Sequence, residues 1–388
     1  TLRPGITYGV MIYQEQVQAA AKLLAGYTLG GADLLRRAMG HKDPVEMAEQ
    51  RKRFVAGCWE NNQIDEKTAN AIFDKIEKFA GYGFNKSHSA CYGHISYWTA
   101  YLKAHYPVEF LCGLMSNEST NEKIGVFIQE ANRMGIEVLG PCVNHSAVKF
   151  QPETMPNGKL AVRFGLASVK SMSSETVRVI VEEREKNGPY KSLEDLCYRI
   201  PPQVLRRNQV EVLVKCGAFD WMHVSRHTLF ESIEQCICGA ADVHRDKAAG
   251  QMALFDMTET TDVAGGKMPD LPEWPKEQRL ADEKEFTGAY FTGHPLDAMR
   301  GIIDDPRYVA IGTLPDLTRE EIDHVRDMAG MLRGVTFKMT KKEPPTKFAV
   351  ITVEDFTGST EALVWGGAFR KAMDQEGLLQ VGSFVRFR

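Results

Sequence analysis

GYGFNKSHSACYGHISYWTAYLKAHYP, residues 81–107, is the stretch that sets how the chain around it folds. Gly81 and Gly83 break a strongly amphipathic segment, which ends at Gly81. Lys86, Ser87 and His88 follow, and then a long aromatic and apolar segment that Pro107 limits. The pattern predicts helix, flexible turn, basic tip, helix. Ser87 is the expected N-cap, which would place free backbone N–H groups and the positive helix end beside Lys86 and His88. Such a place suits a phosphate. The same residues also read as a polar loop between two helices, and by themselves they leave both readings open.

Upstream, the spacing predicts helices. In Gln14–Ala25, Val17, Ala20, Ala21 and Leu24 share one face, and Gly26 ends the helix. A short helix over 30–40 has Leu34, Leu35 and Ala38 as its apolar stripe. Arg36 and Arg37 point away from that stripe, about 100° apart. Asp43-Pro44-Val45-Glu46 carries three helix-start signals. After Asp65, the residues Ala69, Ile72, Phe73, Ile76 and Phe79 again recur at helical spacing. Tyr92, Tyr97, Trp98 and Tyr101 do the same in the opening stretch and are expected mostly in a core.

Downstream, helices are predicted around 108–115 and 122–134. The period then changes: Asn157-Gly158 signals a hairpin turn, followed by the alternation Leu160, Val162, Phe164. Helices return over 166–187, from the capping box Ser192-Leu193-Glu194-Asp195, over 203–216 and over 226–244. Residues 256–280 read as a linker of Thr, Gly, Pro and acidic residues. From about Ala329 the pattern is strands: 331–339, 348–353 and 361–365, then a short helix and a strand at Ser383. That order fits an OB-fold barrel, and equally a generic small β domain.

A chain of 388 residues and 43.5 kDa exceeds one core, so several domains are expected. The net charge of −4 argues against a uniformly basic nucleic-acid binder, but a local basic groove is compatible with it. Eight cysteines without a C-x-x-C pair exclude zinc-type spacing and suit a reducing cytoplasm. No apolar run reaches membrane length. Thr1 at the start and the strand-like Phe384–Arg388 at the end read as a piece of a larger protein.

The motifs GYTLGGADLLRRAMGHK (26–42), GYGFNKSHS (81–89), YLKAHYP (101–107), CGAFD (216–220) and TGHPLD (292–297) stand here in one order. Together they closely resemble the bacterial replicative DNA polymerase III alpha subunit. The resemblance implies a multidomain, mainly α architecture. Its parts are partial fingers over 1–145, a clamp-binding region with helix–hairpin–helix elements over 146–325 (linker 256–280 included), and a truncated OB-fold over 326–388. It implies a DNA-directed DNA polymerase as the intact protein. The catalytic carboxylates that hold Mg2+ lie in the family's palm, before Thr1. The chain by itself is therefore expected to be inactive and to bind no metal.

For the fingers the resemblance implies nucleotide binding through Arg36, Arg37, Lys86, Ser87 and His88, since guanidinium pairs bidentately with phosphate. It implies sliding-clamp binding through Gln251, Leu254 and Phe255, a Gln-x-x-Leu-Phe peptide. DNA contacts are expected from Lys170 and from Arg333, Lys338, Lys341, Lys342 and Lys347, a basic face interleaved with Phe337 and Phe348. Serines stand at Ser171 and Ser173 where the family usually has hairpin glycines, which sets direct DNA binding by that hairpin in question. The implied partners are primer-template DNA, a deoxynucleoside triphosphate, the beta sliding clamp and other holoenzyme subunits, with no membrane. An error-prone relative and a non-catalytic DNA or clamp adaptor are the competing readings.

Overall fold

Helix-spaced apolar residues build the start of the chain. The computed structural model describes residues 7–41, 44–80, 83–248, 268–322, 324–341, 343–375 and 377–388. The chain divides into two units, Thr1–His105 and Tyr106–Arg388; the boundary expected at 145/146 falls inside the second.

The first unit holds α1 (Gln14–Ala25), α2 (Leu29–His41), α3 (Pro44–Asn62), α4 (Glu66–Ala80) and α5 (Lys86–His105). Val17 and Ala21 of α1, Leu35 and Ala38 of α2, Phe54 of α3, and Phe73 and Ile76 of α4 meet in one core. The Phe54 and Phe73 rings lie 5.5 Å apart. Burying side chains of this size contributes about 1.5–3 kcal/mol each. Asp65 starts α4, accepting from the Thr68 N–H at 2.9 Å. Leu34, expected in the apolar stripe of α2, is exposed instead.

The larger departure is α5. None of its residues is buried, and Tyr92, Tyr97, Trp98 and Tyr101 are all exposed. Their rings pair along the helix instead, Tyr97 with Tyr101 at 6.1 Å and Tyr101 with His105 at 4.3 Å. Apolar and aromatic residues wrap round this helix, so their spacing singles out no one face. Spacing selects a core face only when the other faces are polar.

The second unit begins with α6 (Pro107–Ser116) and α7 (Asn121–Arg133). They precede a sheet of β1 (Val138–Leu139), β2 (Gln151–Thr154) and β3 (Leu160–Arg163), with order β1-β3-β2. β2 and β3 are antiparallel, joined across Asn157-Gly158, as the turn signal predicts. The helices α8 (Ser174–Asn187), α9 (Leu193–Arg199), α10 (Arg207–Lys215) and α11 (Arg226–Ala248) follow. Val177, Ile180, Leu196, Leu213, Phe219 and Leu229 are among the residues of their shared core. The next helix, α12 (Lys276–Thr287), already includes the last residues of the expected linker, because Leu280 is buried.

After the one-turn helices α13 (Arg300–Ile303) and α14 (Arg319–Ile322) come β4 (Met328–Met339), β5 (Lys347–Glu354), β6 (Ser359–Val364), α15 (Gly366–Asp374) and β7 (Phe384–Phe387). The four strands form one antiparallel sheet of order β6-β5-β4-β7, irregular between Leu332 and Gly334. Three strands, a helix and a returning strand make the half-barrel of an OB-fold. Leu332, Ala349, Ile351, Val353 and Val385 fill its inner face.

Candidate anion and nucleic-acid interface

The α1 helix is the spine of the candidate site. Its first turn meets the tip of α5. The Gln14 side-chain amide donates to the Gly83 carbonyl at 3.0 Å, and the Gln14 backbone N–H donates to the Phe84 carbonyl at 3.0 Å. The close approach needs the glycine: a Cβ on Gly83 would lie 2.9 Å from the Phe79 ring and 3.1 Å from Gln14. One residue on, Glu15 takes the start of α5. Its carboxylate accepts from the Lys86 backbone N–H at 3.1 and 3.0 Å and from the Asn85 side-chain amide at 3.0 Å.

This corrects the expected cap. Lys86 is the first helical residue, and Asn85, not Ser87, caps the helix by accepting from the His88 N–H at 2.9 Å. Asn85 is the better cap because it is one residue ahead of the helical stretch, with an acceptor of the right reach. The expected open helix end is already engaged: a carboxylate of the chain's own holds the Lys86 N–H. Lys86, Ser87 and His88 are exposed, and the His88 ring lies between Phe84 (5.1 Å) and Tyr92 (4.6 Å).

Arg36 and Arg37 share one carboxylate. Asp33 accepts from Arg36 Nε at 2.8 Å and from Arg37 Nε at 3.0 Å. The hydrogen bond from Arg36, aided by the charge of both guanidiniums, holds the Asp33 carboxyl below its usual range. Each guanidinium has five N–H groups, so an Nε contact leaves its outer edge for a second anion. Arg37 is 63% exposed. Asp33 also accepts from Gln18 of α1 at 3.4 Å. Gln18 and Glu15 are three residues apart on α1 and therefore neighbours on its surface. The two-arginine cluster and the Lys86–His88 tip are thus held at adjacent points of one helix. Asp33, Glu15 and Gln18 were not singled out in the sequence; a carboxylate three and four residues before an Arg-Arg pair was the available signal.

Among the described residues no group of three or more His, Cys, Asp or Glu could hold a metal, and Asp33 and Glu15 are committed to nitrogen donors.

In the second unit the hairpin before α8 keeps the conformation that glycine would favour. Ser171 adopts φ 69°, and Ser173 caps α8, its Oγ accepting from the Thr176 N–H at 3.1 Å. Thr176 Oγ1 donates to the Val204 carbonyl at 3.1 Å and accepts from Gln209 at 3.3 Å, stapling this hairpin to the one before α10. A groove of about 690 Å3 runs along the first hairpin, with Lys149, Lys170, Ser171 and Arg178 among its lining residues. Lys170 pairs with Glu285 at 3.1 Å, both half exposed.

The expected basic face of the OB sheet is divided. Directly paired residues share a face, so Lys338 lies beside Phe348, whereas Phe337 pairs with the buried Ala349 and faces inward. Lys347 lies over the Phe337 ring at 4.8 Å. The outer face instead carries Phe348 stacked on Trp365, 3.9 Å between centroids and 15° between planes, beside Lys338 and the exposed Leu363. Arg333 is spent on Glu354, at 2.9 and 3.1 Å. Burial pushes the Glu354 carboxyl up, but His294, Arg333 and the nearby Lys284 outweigh it and hold it down at about 2. Lys341 is exposed next to β4. Lys342, Gln251, Leu254 and Phe255 lie outside the described residues.

The CGAFD and TGHPLD motifs both reach one cluster around a buried arginine. Arg226, 2% exposed, donates to Asp220 (2.9 and 2.6 Å) and to Glu283 at 2.8 Å. Glu283 is fully buried and also accepts from the N–H groups of Phe291 and Thr292 at 2.7 and 3.1 Å. Gly217, at φ 82°, has no room for a Cβ against the Arg226 guanidinium.

Residues 5–62 match the bacterial DNA polymerase III alpha subunit finger domain, and residues 135–229 match the helix–hairpin–helix motif. The chain is similar to proteins named DNA polymerase III subunit alpha. The one from Vibrio cholerae serotype O1 is 36% identical over 386 residues, 98% of this chain and 32% of the relative. That from Escherichia coli strain K12 is 37% identical over 387 residues, 98% and 32%. That from Thermus aquaticus is 40% identical over 380 residues, 95% and 29%. The chain spans about a third of the length of these curated relatives.

Proposed function

We propose that this chain, which belongs to the bacterial DNA polymerase III alpha subunit family, supplies the nucleotide-holding part of a DNA-directed DNA polymerase together with surfaces for DNA and for the sliding clamp. In that reaction a primer 3′-hydroxyl attacks the α-phosphate of a deoxynucleoside triphosphate and pyrophosphate leaves. In such an enzyme Mg2+ would activate the attacking hydroxyl and stabilise the leaving pyrophosphate, held by carboxylates other than Asp33 and Glu15. The part of this chain is fixed positive charge beside the β- and γ-phosphates, where charge builds as pyrophosphate departs.

The observation that carries the reading is the two guanidiniums on one carboxylate, held next to Lys86 and His88 along α1. Two cations on one anion leave positive charge for a ligand. The arrangement also favours Arg36 and Arg37 over Ser87, which lies inside α5 and caps nothing.

The hairpins before α8 and α10 are proposed to follow a DNA backbone, with Lys170 and Arg178 at the groove. The retained φ of Ser171 supports this against the glycine objection. The outer face of the OB sheet is proposed to take single-stranded template on Phe348 and Trp365, with Lys338 and Lys341 as the basic flank. Gln251, Leu254 and Phe255 remain the proposed clamp anchor, tethering the enzyme at high effective concentration. Other holoenzyme subunits and a cytoplasmic setting complete the proposal. Among the described residues no helix is long and apolar enough to cross a membrane.

Single-nucleotide incorporation by the full-length protein tests the central part. Lys86→Ala is expected to raise KM for the nucleotide while primer-template affinity holds. Normal kcat/KM for the nucleotide with a loss of DNA affinity alone would remove the assignment.

A further inference from the structure

We propose that Glu15 is a positioning residue for nucleotide use: its carboxylate clasps the start of α5 and sets where Lys86 and His88 stand. The proposal rests on the reading that those two residues meet the triphosphate.

Three consecutive side chains at the start of α1 end on backbone groups. Gln14 donates to the Gly83 carbonyl, and Glu15 accepts from the Lys86 N–H. Gln16 turns back, its Oε1 accepting from the Ile12 and Tyr13 N–H groups at 2.8 and 2.9 Å. Gln16 therefore stiffens the strand-like piece that bridges to Phe84, where Phe84 N–H donates to the Ile12 carbonyl at 3.4 Å and Gln14 N–H to the Phe84 carbonyl at 3.0 Å. A glutamate in the first turn ordinarily complements the dipole of its own helix. Glu15 complements that of another helix, seventy-one residues on.

Two consequences follow for the tip. The Lys86 N–H already has a charged acceptor, so a phosphate is met there by the Lys86 and His88 side chains and not by that N–H. The direction in which those side chains leave the backbone is set at the first N–H of α5 by Glu15, next to the Gln14 and Phe84 contacts that hold the residues just before it. Gln18, one turn along α1, touches Asp33 of the arginine cluster. The clasp thereby also fixes the spacing between the two sets of cations.

The test uses the full-length protein with Glu15→Ala, Glu15→Asp and Glu15→Gln. The measurements are nucleotide KM and kcat, primer-template Kd and melting temperature. Alanine loses the acceptor and aspartate withdraws it by one methylene, so both are expected to raise nucleotide KM roughly tenfold, about 1.4 kcal/mol. Primer-template Kd and melting temperature should stay near the parent. Glutamine still accepts from the Lys86 N–H and should return KM to within about threefold. Glu15→Ala combined with Lys86→Ala should raise KM by less than the product of the two single effects, since Glu15 acts in part through the Lys86 side chain. Parental KM in both Glu15→Ala and Glu15→Asp, with KM raised by Lys86→Ala, overturns the clasp and leaves the nucleotide reading standing. Parental KM in Lys86→Ala overturns that reading itself. A fall in DNA affinity and melting temperature that accompanies KM in all three Glu15 variants makes Glu15 a packing residue and also overturns the proposal.

Discussion

Arg36 and Arg37 around Asp33 use the same chemical groups as Arg226 between Asp220 and Glu283, in the opposite proportion. In the first cluster two guanidiniums share one carboxylate near the surface. In the second, two carboxylates surround one buried guanidinium. Burial opposes the charge on Arg226, yet the hydrogen bond and charge of Asp220, joined by Glu283, outweigh it and raise its pKa. Such a group is fully satisfied and has nothing left for a ligand. The first cluster keeps an excess of positive charge and a solvent-facing edge. Stoichiometry and burial, more than residue type, separate a binding cluster from a structural one.

The largest effect should come from breaking the satisfied cluster. Arg226→Ala leaves Glu283 buried and uncompensated and is expected to cost roughly 3–5 kcal/mol, read from urea unfolding. A loss below about 1 kcal/mol would place Arg226 with the surface pairs.

Next comes Glu354, a buried carboxylate with one bidentate arginine. Its folded pKa of about 2 lies below the ordinary 4.5, so its contribution is present above about pH 4.5 and lost as pH falls toward 2. That contribution amounts to at most about 3 kcal/mol. Thermal melting between pH 5 and pH 2 should decline less steeply in Glu354→Gln than in the parent. Parallel curves would show that the pair carries no linkage.

Arg37→Ala should do the reverse of Arg226→Ala. Stability is expected to stay within about 0.5 kcal/mol, since the side chain is largely exposed. Nucleotide kcat/KM of the full-length protein should fall ten- to a hundredfold, from a charge-assisted hydrogen bond of about 1.5–3 kcal/mol. A variant that melts early with normal kinetics would reverse the comparison.

The smallest effect belongs to Lys170, paired one-to-one with Glu285 on the surface. Lys170→Ala should change stability by less than about 1 kcal/mol. It should weaken duplex binding and reduce the salt slope by roughly one. An unchanged salt slope would remove Lys170 from the DNA contacts.

Much of this was legible beforehand. The helix Gln14–Ala25, the start of α4 at Asp65 and the succession of three strands, a helix and a further strand along the chain follow from period and caps, which act over a few residues. The aromatics of α5 did not, since apolar residues all round a helix specify no particular face. The basic face of the OB sheet also failed as a unit. Strand residues alternate, so Phe337 and Phe348, an odd number of positions apart in register, took opposite sides. The cap of α5 was displaced by two residues because Asn85 and Ser87 are both competent caps, and a carboxylate from another helix stands at Asn85.

The sequence by itself determined the order of elements, the Arg-Arg pair, the basic tip and the family, because these depend on local spacing and on long motifs. Only the tertiary structure decided which polar groups meet. The Glu15 carboxylate and the Lys86 backbone N–H lie far apart in the chain, and so do the Arg226 and Glu283 side chains. Hydrogen bonding and ion pairing both depend steeply on distances of a few ångströms. Those distances are set by how helices pack, and no stretch of sequence contains them.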